Sequence, residues 1–172
     1  SGSLTDIASG IAYLNSFSNI QTLQGGTAAD TFNLNAAFSG LINGGIGADV
    51  FNINAAVNEL QGGNGNDSFI FSSALNAGVA TTIVGGSGTN TLTGRNENNT
   101  WTIAGANSGT LGKTGELTNY VNSFSDIQTL NGGTGNDIFI LNNIVSGSIN
   151  AGAGTNTFNV NAAVGALTGG DG

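Results

Sequence analysis

The sequence predicts an all-β chain wound as a right-handed parallel β-solenoid (β-roll or β-helix-like), with about 18–19 residues in each short rung. Three observations carry this. Glycine doublets recur at 25–26, 44–45, 62–63, 85–86, 132–133 and 169–170, and Ala151-Gly152 fits the same series. Large apolar residues fall at fixed offsets from each doublet. Between them the chain alternates apolar and polar, as in "FNLN", "FNIN" and "FNVN", which is the period of a strand and not of a helix.

The rungs align on the first glycine of each doublet. Two residues before it stand Leu23, Ile42, Leu60, Ile83, Leu130, Ile149 and Leu167. Seven residues after it stand Phe32, Phe51, Phe69, Leu92, Phe139 and Phe158, and nine after it Leu34, Ile53, Phe71, Gly94, Leu141 and Val160. A last apolar column runs through Phe38, Val57, Leu75, Val145 and Val164, broken by Asn98. One rung has no partner for its apolar face, and stacking like rungs supplies it. Each rung is therefore expected to give two strands, pairing in parallel with the rungs above and below at about 4.8 Å. Phe, Leu/Ile and Val ladders fill the inside, and Asn ladders such as Asn33–Asn52 line the outside.

A longer period lies over the short one. "YLNSFSNIQTLQGG" (13–26) and "YVNSFSDIQTLNGG" (120–133) agree at 11 of 14 positions, 107 residues apart. Residues 1–107 read as one full unit and 108–172 as part of a second, in one continuous solenoid that is expected to be a piece of a longer array. Its partners would be further copies of the same repeat in the same chain, with filament self-association at an open end. Residues 94–129 depart from the short rung and hold the single Trp and both basic residues. They are expected to form enlarged coils, with a hairpin or loop protruding near 104–118.

The composition excludes several classes. Ten acidic against two basic residues, a net charge of −8, argues against nucleic acid as a partner. Without His or Cys the usual general bases and thiol nucleophiles are missing, and the carboxylates sit in turns, so no enzyme activity is expected. No apolar run approaches the roughly 20 residues of a membrane helix, so membrane insertion is not expected.

The stretches "GGIGADVFN" (44–52), "GGNGNDSFI" (62–70) and "GGTGNDIFI" (132–140) follow G-G-x-G-x-D-x-U-x, with U a large apolar residue. This resembles the nonapeptide of the RTX (repeats-in-toxin, hemolysin-type) family. "GGTAADTFN" (25–33) lacks the third glycine, and "GGSGTNTLT" (85–93) and "AGAGTNTFN" (151–159) carry Asn90 and Asn156 in place of Asp. "NTWTIAGANSGTL" and "FSDIQTLNGGTGNDIF" look like repeats of very large secreted or surface-displayed bacterial proteins of the adhesin or filament type.

The resemblance implies a β-roll with Ca²⁺ between adjacent turns, bound by Asp30, Asp49, Asp67 and Asp137 and by carbonyls of Gly44, Gly62 and their neighbours. It also implies an extracellular or cell-surface, bacterial setting, such as a biofilm matrix. The chain departs from the family in carrying the motif once per rung; the opposite turn reads "NAAFSG", "NAAVNE" or "NNIVSG". The residues alone leave a second reading open, in which Asp or Asn caps backbone N–H groups of a tight turn without metal. The expected role is that of a structural segment of a long extracellular filament, adhesin stalk or matrix protein. The alternatives are a calcium-dependent module that folds on secretion and a carbohydrate-binding adhesin repeat. In the last, Trp101 would be a stacking platform flanked by Asn107, Ser108 and Glu116; as core filling it would serve no ligand. Arg95 and Lys113 are expected in solvated loops, and Ile70 and Ile140 on the outside. An ice-binding face is not expected, because the outward row is interrupted.

Overall fold

The computed structural model describes residues 2–5, 12–17, 19–72 and 81–170, the first two segments by backbone alone. Leu75 of the last apolar column lies outside them. Described in this way, the chain is all β: a parallel β-solenoid of two stacked ladders plus a separate hairpin. The strands, in chain order, are β1 (Gly2–Thr5), β2 (Ala12–Phe17), β3 (Thr22–Gln24), β4 (Thr31–Leu34), β5 (Phe38–Ile46), β6 (Val50–Ile53), β7 (Val57–Asn64), β8 (Ser68–Phe71) and β9 (Thr81–Ser87). They continue as β10 (Thr91–Thr93), β11 (Asn99–Gly105), β12 (Ser108–Lys113), β13 (Asn119–Ser125), β14 (Thr129–Asn131), β15 (Ile138–Leu141), β16 (Val145–Asn150), β17 (Thr157–Val160) and β18 (Val164–Thr168).

Short strands suffice because each strand inside a ladder is held on both sides by another strand. Phe32 pairs with Phe51 and Phe51 with Phe69 in parallel register. Their rings stack at centroid distances of 5.0 and 4.8 Å, each pair inclined by only 8°. Outside, Asn52 Nδ2 donates to Asn33 Oδ1 at 2.8 Å and Asn54 Nδ2 to Asn35 Oδ1 at 2.7 Å. The second glycine of the doublets (Gly45, Gly63, Gly86, Gly133, Gly152, Gly170) has positive φ, which turns the chain out of one sheet toward the other.

The two sheets exchange roles halfway along the rod. One sheet runs β3-β5-β7-β9-β13-β12-β11-β15-β17 and the other β4-β6-β8-β10-β14-β16-β18. The phenylalanine column of the first unit does not continue into that of the second. Leu92 pairs with Leu130, so Phe32, Phe51, Phe69 and Leu92 lead into Leu130, Ile149 and Leu167. The opposite sheet carries Leu23, Ile42, Leu60 and Ile83 on to Phe124, and beyond β12 and β11 to Phe139 and Phe158.

A half rung causes the exchange. "TGRNENNTWTI" (93–103) stacks on "NGGTGNDIFIL" (131–141), with Trp101 opposite Phe139 and Ile103 opposite Leu141. Gly94 follows Gly85 by nine residues, so this turn lies on the edge opposite to the turn at 85–90.

The expected protrusion at 104–118 is corrected by the strand pairing. β11, β12 and β13 form an antiparallel meander that lies within the sheet, between β9 and β15. Leu111, Tyr120, Val121 and Phe124 are buried by it, which a projecting hairpin would have left in water. What does project is the turn at 114–118, where Leu117 is fully exposed.

Candidate functional site

The glycine turns bring the acidic residues together in two ladders, one on each edge. On the first edge the Asp30 N–H donates to Asp49 Oδ1 at 2.7 Å, Asp49 N–H to Asp67 Oδ1 at 2.8 Å and Asp67 N–H to Asn90 Oδ1 at 2.9 Å. Asn90 N–H continues the series to Gln128 Oε1 at 2.8 Å. On the other edge Asn99 N–H donates to Asp137 Oδ1 at 2.7 Å, and Asp137 N–H to Asn156 Oδ1 at 2.8 Å. Asp30, Asp49 and Asp67 are thus neighbours, as the spacing predicts, while Asp137 stands apart from them. Each side chain satisfies a backbone donor of the preceding coil, which is the capping role the turn reading expects.

The second atom of each side chain separates Asn from Asp. Asn99 Nδ2 donates to the carbonyls of Arg95 and Glu97 at 2.8 Å each, to that of Gly132 at 3.1 Å, and to Asp137 Oδ1 at 2.9 Å. Asn156 Nδ2 reaches the carbonyls of Gly152, Gly154 and Gly169 at 3.0–3.3 Å. Asn90 Nδ2 reaches those of Gly86 and Asp126 at 3.3 and 3.0 Å. The amide therefore sits in a cage of carbonyl oxygens, two from its own turn and one from the next at Asn99 and Asn156, and one from each at Asn90.

At Asp49, Asp67 and Asp137 a carboxylate oxygen takes the place of that amide. All three Oδ2 atoms are buried and have no hydrogen-bond partner. A Cβ on Gly44 would collide with Asp49 Oδ2 and the Gly62 carbonyl. On Gly62 it would meet Asp67 Oδ2 and the Gly85 carbonyl, and on Gly132 Asp137 Oδ2 and the Ala151 carbonyl. Glycine is thus required at Gly44 and Gly62 for the close approach of carboxylate and carbonyl. Asp30, at the end of the ladder, differs: its Oδ2 accepts from Gly26 N–H at 2.7 Å.

A buried carboxylate oxygen near a carbonyl, with no hydrogen-bond donor to it, disfavours the charged form. Burial, partly offset by the backbone hydrogen bond from Asp30, pushes the Asp49 carboxyl above its usual range; burial against the bond from Asp49 does the same to Asp67. Burial raises Asp137 to about 6, against hydrogen bonds from Asn99. A proton on Oδ2 would let the acid donate to a carbonyl as Asn does. A hard cation would serve equally, since the donor set is all oxygen and the orphaned Oδ2 supplies charge. Asp49, Asp67 and Asp137 with the carbonyls of their turns fit such an ion. Among the described residues no three carboxylates are placed to hold one ion together, so the ion would rest mainly on backbone oxygens.

Two other expected residues are placed differently. Trp101 is entirely buried, stacked on Phe139 at 5.6 Å and edge-on to Phe124 at 6.4 Å, so it offers no face to a sugar and the platform reading is corrected. Arg95 is not solvated: its guanidinium lies 3.9 Å from the Tyr120 ring centroid, with Nη1 3.2 Å from Glu97 Oε1. Tyr120 Oη donates to Asn99 Oδ1 at 2.8 Å and accepts from Arg95 N–H at 3.3 Å, tying the meander to the second ladder. Lys113 is exposed as expected, between Glu97 and Glu116.

Sequence reasoning missed Asn99 and its turn. The signal was present: Asn99 follows Gly94 by five residues and precedes Trp101 by two, the spacing of Gly132, Asp137 and Phe139. Arg95 in place of the second glycine hid it. Among the described residues no helix is long and apolar enough to cross a membrane. Compared with known protein families, with curated proteins and with solved structures, the chain matches none.

Proposed function

We propose that this chain is a structural segment of a long extracellular filament, adhesin stalk or matrix protein, acting as a stiff spacer without catalysis. The observation that carries the reading is the continuity of the ladders. Coil is pinned to coil by parallel strand pairing, by stacked apolar side chains, which are aromatic rings at Phe32–Phe51–Phe69 and Trp101–Phe139–Phe158, and by side-chain-to-backbone bonds at the turns, with the antiparallel meander joining the two halves. Phe158, Val160, Val164 and Leu167 on the last coil remain partly exposed, while their counterparts Phe51, Ile53, Val57 and Leu60 are buried by the coil that follows. Further copies of the repeat in the same chain are the partners this reading implies. The net charge of −8 supports a role away from nucleic acid.

Small-angle scattering tests the spacer role. Nine strands at about 4.8 Å give a rod roughly 38 Å long for this chain, lengthening in proportion when units are joined. A compact or flexible particle would overturn it.

The buried, partnerless Oδ2 atoms of Asp49, Asp67 and Asp137 favour a second reading, a module that calcium tightens. There the ion replaces the missing donors, and the chain folds fully only where calcium is plentiful, as outside a cell. Melting in calcium and in chelator separates the two readings.

A further inference from the structure

Strands 107 residues apart occupy opposite sheets. β3 and β14 are one such pair, and so are β4 and β15, β5 and β16, β6 and β17, and β7 and β18. In every pair the first strand belongs to one sheet and its counterpart to the other. The turns follow the strands: 25–30, 44–49, 62–67 and 85–90 lead out of the nine-stranded sheet, whereas 94–99, 132–137 and 151–156 lead into it. The direction of winding does not change, because β9, β13, β11 and β15 all run the same way. The chain has gained half a coil, and the same motif has moved to the other edge.

The period behind this is structural as well as textual. The hairpin β1–β2 pairs Gly2 with Phe17, Leu4 with Leu14 and Thr5 with Ala12. The hairpin β12–β13 pairs Gly109 with Phe124, Leu111 with Val121 and Gly112 with Asn119, the same register 107 residues on. Asn19 and Asp126, equally spaced, share a left-handed conformation at φ 58° and 57°.

We infer that consecutive repeats of this sequence are related by half a turn about the rod axis, so that a tandem array presents its glycine-turn edge to opposite sides in alternation. The rod would then be two-sided, with its main run of glycine turns in each repeat falling alternately on the two flanks. The inference rests on the reading of the chain as part of a tandem array.

Cross-linking of the full chain tests it, against a background without cysteine. The fifth residue of each turn is exposed and meets its counterpart in the next coil. Thr89 N–H donates to Asn66 Oδ1 at 2.8 Å, and Asn136 N–H to Asn98 Oδ1 at 2.8 Å. A short bifunctional methanethiosulfonate should join Asn66→Cys to Thr89→Cys and Asn98→Cys to Asn136→Cys. It should leave Thr89→Cys and Asn136→Cys unjoined, since they lie on opposite edges. Joining of the 89/136 pair with loss of the 98/136 link would show one uninterrupted edge and overturn the half turn. Circular dichroism of each double variant confirms that it is folded, and the 66/89 pair, adjacent in either arrangement, reports that the reagent works. A rod in scattering with an 89/136 link would sink this inference alone; a compact particle with a 98/136 link would sink the spacer reading alone.

Discussion

Asn99 donates to Asp137 Oδ1 twice, from its backbone N–H at 2.7 Å and from Nδ2 at 2.9 Å, while Asp137 Oδ2 has no partner. Two residues at equivalent places in adjacent turns thus differ in one atom, and only the amide completes its cage. Replacing Asp137 by Asn should let Nδ2 donate to carbonyls as it does in Asn90, Asn99 and Asn156. A buried group without a partner costs about 1–3 kcal/mol, so Asp137→Asn should stabilise the metal-free chain by about that much. In a chain of this size that is a rise of roughly 2–12 °C in melting midpoint, measured in chelator at neutral pH. An unchanged or lower midpoint would refute the account of the cage.

The same cages set a pH dependence. Folded Asp137 titrates at about 6, above its ordinary value of 3.8, so the folded state holds a proton that the unfolded state has released. Stability of the metal-free chain is therefore greatest below about pH 4, falls as pH rises, and levels off above about 6. Asp49 and Asp67, raised in the same direction, add to the slope. Urea midpoints should be higher at pH 4.5 than at 7.5, and the difference should shrink in Asp137→Asn. A chain destabilised by acid over this window would contradict the prediction.

Calcium provides the other route to a satisfied cage. If the ion seats there, the melting midpoint at neutral pH rises with calcium and returns in chelator, by an amount that grows with the logarithm of concentration. Asp49→Asn should lessen the response, since Asp49 has its neighbours Asp30 and Asp67 on the same ladder. Curves that coincide with and without calcium would leave the carboxylates without a cation at neutral pH and the rod metal-free.

Much of this was legible in the sequence. The apolar columns, the parallel pairing and the adjacency of Asp30, Asp49 and Asp67 follow from spacing, because identical coils stack in only one register without exposing Phe51 or Ile42. The exchange of sheets was not legible. Leu92 fits equally well on Phe139 or on Leu130, so column type alone does not choose between them, and the half rung at 94–103 carries Arg95 where a glycine would have marked it. The burial of Arg95 was hidden for a related reason: the Tyr120 ring that covers it comes from a strand 25 residues away, brought back by the meander.

Trp101 replaces phenylalanine in the column that continues through Phe139 and Phe158, whose rings stack at 5.2 Å. Its ring is buried against Phe124 and Phe139, and its Nε1 has no hydrogen-bond partner. Trp101→Ala should cost about 3–5 kcal/mol, since it empties the joint between the two halves of the rod. Trp101→Phe keeps the stack and removes the unpaired N–H, so its cost should be a small fraction of that. Denaturant titrations followed by far-ultraviolet circular dichroism measure both, and the single Trp of the parent chain should emit in the blue and resist acrylamide quenching. Red-shifted, readily quenched emission would place the ring in water and reopen the sugar-platform reading. Equal losses for the alanine and phenylalanine variants would show that a single stacked ring does not suffice to hold the joint.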